Sequence, residues 1–452
     1  MFDTIAAIAT APGGAIGIIR LSGEQAAQAV DAVFAPASGK PFADCPPRML
    51  IYGALRARDG RVVDQCMAVR FPGDKTYTGE PMAELQVHGS PAVLSEALSA
   101  LFAQGVRQAE AGEFTRRAFL NGKMDLMEAE AVADLIAART LEAAENAAGQ
   151  VAGAVGGRMH EARQRLIGLA AHFLAVVDYP DEDIDPFLIS QAEEILGQTA
   201  RELDGLCDSY ERGRILREGL PCAIVGRPNV GKSTLLNSLV GFDRAIVTDI
   251  AGTTRDTIEE TVRIGPLCLR LQDTAGLRDT ADPVEKIGVE RAHRAAEQAG
   301  LVLAVVDGSV PLTDEDQAAL ERARQAPRAV LVVNKCDKAQ TPHIPEGFAY
   351  TVQISAKQGQ GLEQLRETLL ACAGLEGTAF DGGVITNARQ ADALRRAAES
   401  CAQALSAVRM GVTPDAVLLD VESAIGALGE LTGQDVREDI IQDIFHRFCV
   451  GK

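Results

Sequence analysis

Gly226-Arg227-Pro228-Asn229-Val230-Gly231-Lys232-Ser233 is the stretch that decides how this chain is read. A Gly, four residues and then Gly-Lys-Ser is the pattern of a loop that cradles phosphates. The residues before it, Pro221 to Val225, form a short apolar run. From Thr234 to Val240 the apolar spacing is helical. The loop therefore sits between a strand and a helix, as its mechanism requires. Backbone N–H groups wrap the phosphates and the helix N-terminus adds its dipole. Lys232 is placed to reach the β- and γ-phosphates, and the Ser233 hydroxyl to bind Mg²⁺. Alone, the motif says nucleoside triphosphate and nothing finer.

Four more segments narrow the base to guanine. Asp273-Thr274-Ala275-Gly276 follows the alternating Leu267, Leu269 and Leu271, read as a half-exposed edge strand. It offers a carboxylate to hold Mg²⁺ through water and a Gly N–H for the γ-phosphate. Gly252-Thr253-Thr254-Arg255-Asp256 falls between the two loops, where a switch segment places Thr254 on Mg²⁺. Asn334-Lys335-Cys336-Asp337 follows the apolar run Ala329 to Val333. There the Asp337 carboxylate can accept two hydrogen bonds from guanine N1 and N2, a pair that adenine lacks. Ser355-Ala356-Lys357 follows the next strand and closes over the base. Five motifs in this order, each at a strand end, identify a GTPase. A water-orienting Gln is missing, because Leu277 directly follows Asp273-Thr274-Ala275-Gly276. A nonpolar side chain cannot align water, so another residue must do so, and another positive charge must stand in for an arginine finger.

Around this segment the texture changes twice. At 452 residues the chain is too long for one core. Its 47% apolar and 24% charged content is that of a globular protein. No membrane-length apolar stretch is present, and Met1-Phe2-Asp3-Thr4 has no basic leader region. Nine scattered cysteines without a Cys-x-x-Cys pair argue for a reducing compartment, so a cytoplasmic location is expected. A net charge of −19 argues against a broad nucleic-acid-binding face but leaves room for a local basic groove. Residues 1–118 read as α+β, 119–214 as helical, 215–376 as alternating strand and helix, and 377–452 as helical again. The simplest account is a helical domain interrupted by an inserted α/β domain. Two strand patterns in the first segment carry a charge, Arg20 and Glu84. Each is either an edge-facing surface group or a buried ligand contact. His88 reads as a turn or packing residue. In the final helix, Ile440, Ile441, Ile444, Phe445 and Phe448 share one face.

From end to end the chain resembles the tRNA-modification GTPase family MnmE, also called TrmE. The resemblance rests on Arg20-Leu21-Ser22-Gly23, Phe71-Pro72-Gly73, Thr78-Gly79-Glu80, Glu84-Leu85-Gln86 and His88-Gly89. It continues through Gly112-Glu113-Phe114-Thr115, the run from Arg117 through Asn121-Gly122-Lys123 to Leu126, and Tyr179-Pro180-Asp181-Glu182-Asp183-Ile184. Thr248-Asp249-Ile250-Ala251-Gly252-Thr253-Thr254 and the tail Phe448-Cys449-Val450-Gly451-Lys452 complete it. One departure is Ala11-Pro12-Gly13-Gly14-Ala15, a shorter variant of the family's Gly-Arg-Gly turn without its Arg.

The resemblance implies further roles. The nucleotide site takes in Asn229, Val230, Gly231, Lys232, Ser233 and Thr234, with Thr248 through Thr254, Asp273 to Gly276, Asn334, Lys335, Asp337 and Ser355 to Lys357. A K⁺ ion on Asn229, Thr248, Ile250 and Thr253 stands where an arginine finger would. Glu285 orients the water that Leu277 cannot. Arg20, Glu84 and Lys123, with Lys452 of the tail, match positions that bind 5-formyltetrahydrofolate or 5,10-methylenetetrahydrofolate. Cys449 lies beside that site, either as an idle terminal thiol or as a nucleophile. The family works as a homodimer with an FAD- and NADH-dependent partner, MnmG (GidA), in a heterotetramer-type complex. Together they add a carboxymethylaminomethyl-type group to C5 of the wobble uridine (U34) of certain tRNAs. The main alternatives are a ribosome-assembly GTPase switch, which shares the phosphate-loop and switch motifs, and a folate-dependent one-carbon transferase regulated by GTP. The Arg20/Glu84 pair and the Cys449-Val450-Gly451-Lys452 tail discriminate against the ribosome binder.

Overall fold

The structure is a computed structural model and describes residues 3–11, 13–178, 189–241, 260–272, 299–338, 344–434, 438–446, 448 and 450–451. The chain divides into two compact units, one of residues 1–133 with 428–452 and one of residues 134–427.

The first unit is built on a seven-stranded sheet. Its strands are β1 (Ile5–Ile8), β2 (Ile16–Ser22), β3 (Phe34–Pro36), β4 (Ile51–Arg56), β5 (Val62–Phe71), β6 (Met82–His88) and β7 (Arg107–Gln108). They lie in the order β3-β4-β5-β6-β2-β1-β7, antiparallel except for the β1–β7 pair. Period-two alternation sorts β2 into two faces. Ile19 and Leu21 are fully buried in the core that also holds Val30 and Leu94, from the helices Ala26–Val33 and Pro91–Phe102. Ile18 and Arg20 look out from the opposite face, half-buried. Because β2 and β6 are both interior strands, reading Arg20 and Glu84 as edge-facing groups is wrong.

Arg117, only 2% exposed, holds the rest of this unit to the sheet. From the helix Glu113–Leu120 its guanidinium donates to the Asp3 carbonyl (2.7 Å), Glu80 (3.0 Å), the Asp3 carboxylate (3.0 Å) and Glu113 (2.9 Å). Burial favours a neutral Glu113, but hydrogen bonds from Arg107, the Glu110 amide and Arg117 outweigh it and hold the carboxyl below its ordinary value. A second small core joins Leu126, Ala129, Phe445 and Phe448. The last helix, Glu438–His446, turns Ile441, Ile444 and Phe445 toward it. Ile440, expected on that face, is 41% exposed.

The second unit contains a six-stranded sheet made of β8 (Leu220–Val225), β9 (Glu260–Ile264), β10 (Leu267–Leu271), β11 (Leu301–Asp307), β12 (Ala329–Asn334) and β13 (Tyr350–Gln353). The order is β13-β12-β11-β8-β10-β9, parallel throughout except that β9 runs antiparallel to β10. β11 is buried at every residue, as an apolar run in a doubly covered parallel sheet should be. β10 is not the edge strand its alternation predicts. It lies between β8 and β9, and Cys268 is buried along with Leu267, Leu269 and Leu271. Alternation misleads here because a buried cysteine packs as a small hydrophobe.

Outside the α/β part this unit holds the helices Leu141–Val151, Ala154–Asp178, Ile189–Glu218 and Ala388–Arg409, and Pro414–Thr432 begins in it. The segment leading from the last helix of the α/β part (Leu362–Ala373) into Ala388–Arg409 is gripped by buried polar side chains. Asn146 and Gln150 donate to the Val384 carbonyl (3.0 and 2.6 Å), and Ser209 accepts from the Ile385 amide (3.0 Å). The backbone comes so close to the helix Ile189–Glu218 that a Cβ on Gly213 would lie 2.0 Å from the Ile385 carbonyl oxygen. Gly213→Ala is therefore expected to cost about 1–3 kcal/mol in thermal or denaturant unfolding, the usual cost of overpacking. Gly168→Ala, where a Cβ meets nothing within 4 Å, is expected to gain roughly 0.5–1 kcal/mol from helix propensity.

Candidate functional site

Parallel pairing brings the C-terminal ends of β8, β11, β12 and β13 to one edge, where α/β sheets bind ligands. The phosphate loop leaves β8 there. Gly231 has φ +98° and caps the helix Lys232–Val240, and a Cβ on it would come within 2.3 Å of the Asn334 amide nitrogen. Asn229 holds the left-handed φ of 63° without being a glycine. Its carbonyl accepts from Lys335 Nζ at 2.7 Å. Lys232 Nζ donates to the Gly226 and Arg227 carbonyls (2.8 and 2.9 Å). Burial pulls its ammonium below its ordinary pKa, so the site favours an anion that restores the charge. Ser233 and Thr234 open the helix, Ser233 half-buried and Thr234 exposed.

Asn334 binds the loops to one another. Its Nδ2 donates to the Val230 carbonyl (2.8 Å), and its Oδ1 accepts from the Ala356 amide (3.1 Å). One buried side chain thus fastens the phosphate loop to the Ser355-Ala356-Lys357 loop. Both polar ends are used within the protein, so Asn334 positions the site. Ser238, on the phosphate-loop helix, donates to the Ala356 carbonyl at 3.1 Å. Asp337 is exposed, as a carboxylate that reads a base must be, and accepts from Gln358 Nε2 at 3.3 Å. Ser355 is buried and Lys357 exposed.

Two contributors escaped the sequence reading. Asp307 ends β11 and pairs with Lys335 at 2.7 Å. Burial opposes its charge, but the hydrogen bonds from Lys335 and Ser309 prevail and keep the carboxyl below its ordinary value. Arg227, inside the phosphate loop, is tied by Nε to both oxygens of Asp316 (3.1 and 3.0 Å). Asp316 is buried and completes a capping box with Thr313. A signal for Asp307 existed, since a carboxylate ends a central apolar run just as Asn334 does. None existed for Asp316, which reads as one acid among several on a helix. Among the expected nucleotide and cation residues, Thr248, Asp249, Ile250, Ala251, Gly252, Thr253, Thr254, Asp273, Thr274, Ala275, Gly276 and Glu285 lie outside the described residues.

In the first unit Arg20 and Glu84 face each other in the β2–β6 register and form an ion pair, Nε to Oε1, at 2.9 Å. The Arg20 guanidinium lies 6.0 Å from the centre of the Tyr77 ring, and the Tyr77 hydroxyl bonds Thr115 at 2.9 Å. Lys123 stands over Gly79, where a Cβ would lie 2.9 Å from its Cε, and reaches toward Asp74 at 3.9 Å. Gly451 packs its backbone on Ile8, where a Cβ would lie 2.2 Å from the carbonyl oxygen. That puts the tail one register step from Ala7, the β1 partner of Arg20. Cys449 and Lys452 lie outside the described residues.

Family models described as "GTP-binding protein TrmE N-terminus" and "MnmE helical domain" match residues 4–123 and 126–449. A protein of Roseiflexus sp. named tRNA modification GTPase MnmE is 41% identical, covering 100% of this chain and 99% of its own length. The protein of that name from Heliobacterium modesticaldum is 42% identical with the same coverage. The chain belongs to the MnmE family. Among solved structures, Era of Aquifex aeolicus is 26% identical, covering 40% of this chain and 65% of its own, with a TM-score of 0.25. The fold of this MnmE-family chain is accordingly read from its strand order and not from that likeness.

Two predictions follow from the geometry. Asn334→Ala is expected to lower affinity for a fluorescent GDP analogue at least about tenfold by releasing both loops, in keeping with roughly 1–3 kcal/mol for each buried polar group left unpaired. Asp125, which exchanges capping hydrogen bonds with Glu128 (2.8 Å each way), is pushed up to about 6 by burial and by the charges of Glu128 and Glu130. The folded chain therefore holds this proton more tightly than the unfolded one. The associated stability is full below pH 3.8 and is lost as pH rises through about 6. Melting temperatures measured across that window should show this loss in the parent protein and lack it in Asp125→Asn.

Proposed function

We propose that this chain is a K⁺- and Mg²⁺-dependent GTPase of wobble-uridine modification. It hydrolyses GTP to drive, with a flavin-dependent MnmG-type partner, the addition of a carboxymethylaminomethyl-type group to C5 of U34 in certain tRNAs. The observation that carries the reading is the conformation of Asn229. Its backbone is left-handed and its carbonyl is held by Lys335, while its side chain stays exposed at the phosphate loop. A carboxamide oxygen presented there is a hard ligand that suits a monovalent cation beside the phosphates.

The roles follow from the chemistry of each group. Lys232 and the loop amides bind the phosphates, and Asp337 reads guanine N1 and N2. Ser233 and Thr254 would hold Mg²⁺, which neutralises charge on the phosphate oxygens when bound. Thr248, Ile250 and Thr253 would complete the K⁺ site with Asn229. Glu285 would orient the attacking water, since Leu277 cannot. Pairing of two G domains across this loop in a homodimer would close the cation site.

The folate reading rests on Glu84. Its Oε1 is taken by Arg20, but Oε2 has no partner among the described residues, and the side chain is only 15% exposed. A half-buried carboxylate oxygen suits the N–H donors of a pterin ring, while Lys123 and Lys452 suit the folate carboxylates. The folate would supply the one-carbon unit, and Cys449 stands as an open candidate nucleophile. Among the described residues no helix is long and apolar enough to cross a membrane, and the reading is of a cytoplasmic protein.

GTP hydrolysis should be several-fold faster in KCl than in NaCl at equal ionic strength, and Asn229→Ala should abolish the difference while leaving GDP affinity nearly unchanged. Equal rates in the two salts would remove the cation from the mechanism. Glu285→Ala should bind GTP normally and hydrolyse it at least about a hundredfold more slowly, the scale of a lost general-base or water-orienting group. Glu84→Gln should lose 5-formyltetrahydrofolate binding in calorimetry with GTP turnover intact.

A further inference from the structure

A cavity of about 560 Å³ opens in the second unit, away from the nucleotide loops. Its walls come from the helices Ala154–Asp178 and Ile189–Glu218 and from the segment that follows the last helix of the α/β part. Three arginines line it, Arg158, Arg201 and Arg212, with the acids Glu202, Glu376 and Asp381. Two of those acids are occupied. Glu202 accepts from Arg158 on one oxygen (3.3 Å) and from Arg165 on the other (2.7 Å). Asp381 accepts from the Gly383 amide at 3.2 Å. Glu376 is exposed.

Arg201 and Arg212 are different. Neither makes an ion pair or a hydrogen bond among the described residues, and Arg212 Nε is buried there with no acceptor. A guanidinium N–H shielded from water without a partner, as at Arg212, is disfavoured, and an anion reaching the group would satisfy it, while Arg201 offers an exposed charge further along the same helix. The two arginines lie about three turns, roughly 16 Å, apart on one face of one helix. A nucleic-acid strand spaces its phosphates about 3.4 Å apart along a duplex axis, so such a pair spans several successive phosphates. A small anion could meet only one of them.

We propose that this trough seats a stretch of the phosphodiester backbone of tRNA, with Arg201 and Arg212 as its phosphate contacts. The assignment rests on the tRNA part of the proposed function. A chain of net charge −19 repels RNA at long range and has to bind it through a local cluster of unpaired cations. Phosphate contacts of this kind position the RNA and read no sequence. The trough therefore supplies affinity, and the choice of nucleotide is made elsewhere.

The test uses the full chain and unmodified transcribed tRNA, with affinity measured by fluorescence anisotropy over a range of KCl concentrations. The Arg201→Glu/Arg212→Glu variant should bind at least about tenfold more weakly, and its log–log salt dependence should be shallower by roughly one to two units. Arg201→Lys/Arg212→Lys should stay close to the parent protein. GTP hydrolysis and melting temperature should be unchanged in the Lys variant, and in Arg201→Glu alone, whose side chain is exposed. Parent affinity and salt slope in the double Glu variant would overturn the proposal. So would loss of inorganic pyrophosphate binding in that variant with tRNA affinity intact, which would make the trough a small-anion site. If the parent protein itself binds no tRNA, the tRNA reading fails first, and this inference fails with it.

Discussion

The Asn334 carboxamide bonds the Val230 carbonyl on one side and the Ala356 amide on the other, from a position 3% exposed. The phosphate loop, the base-reading strand end and the loop closing over the base come from separate stretches of chain. A backbone bond from the Cys336 amide to the Ile354 carbonyl (3.0 Å) joins the last two, but among the described residues none ties the phosphate loop to either. A buried amide that uses both ends is a rigid connection, because either unpaired end would carry its full desolvation cost. Lys335 adds a second tie, to the Asn229 carbonyl and Asp307, and Arg227–Asp316 a third. The loops are thus held to the sheet edge before any nucleotide arrives. Preorganisation of this kind lowers the ordering cost of binding.

The first unit solves a similar problem with charge. The Thr76–Glu80 loop carries Tyr77 toward Arg20 and Gly79 beneath Lys123. It is held by Glu80, which accepts from Ser22 (2.7 Å) and from Arg117 (3.0 Å). Arg117 is almost wholly buried, and its guanidinium is bonded by the carboxylates of Asp3, Glu80 and Glu113 and the Asp3 carbonyl, all of this same unit. Such a network adds little net stability over apolar packing, but removing one member strands the others at about 3–5 kcal/mol. Its value lies in the single geometry that it permits for the loop beside the Arg20–Glu84 pair.

The nucleotide chemistry was legible because it depends on local sequence. Gly231 and Lys232 must stand at fixed spacing in one turn, and Asp337 must follow an apolar strand, so the motifs carry their own structural context. The parallel sheet was legible for the same reason, since short β-branched apolar runs such as Leu301–Val306, each followed by a nucleotide motif, read as strands covered on both faces. The charged strand residues were not legible by the same rule. Alternation places Arg20 and Glu84 on one face but says nothing of which strands flank theirs, and that neighbourhood decided that they pair.

By itself, the sequence determined that this chain binds a guanine nucleotide, through short motifs whose backbone geometry is written in neighbouring residues, and its whole-chain motifs pointed to the MnmE family. Only the tertiary structure decided that Cys268 sits in an interior strand, that Asn334 joins two loops, that Asp307 answers Lys335, and that Arg201 and Arg212 lie beside a cavity with no partner among the described residues. Each of those facts depends on residues far apart in the chain meeting in space. A residue's burial and partners are properties of its neighbours in the fold, and no local pattern encodes them.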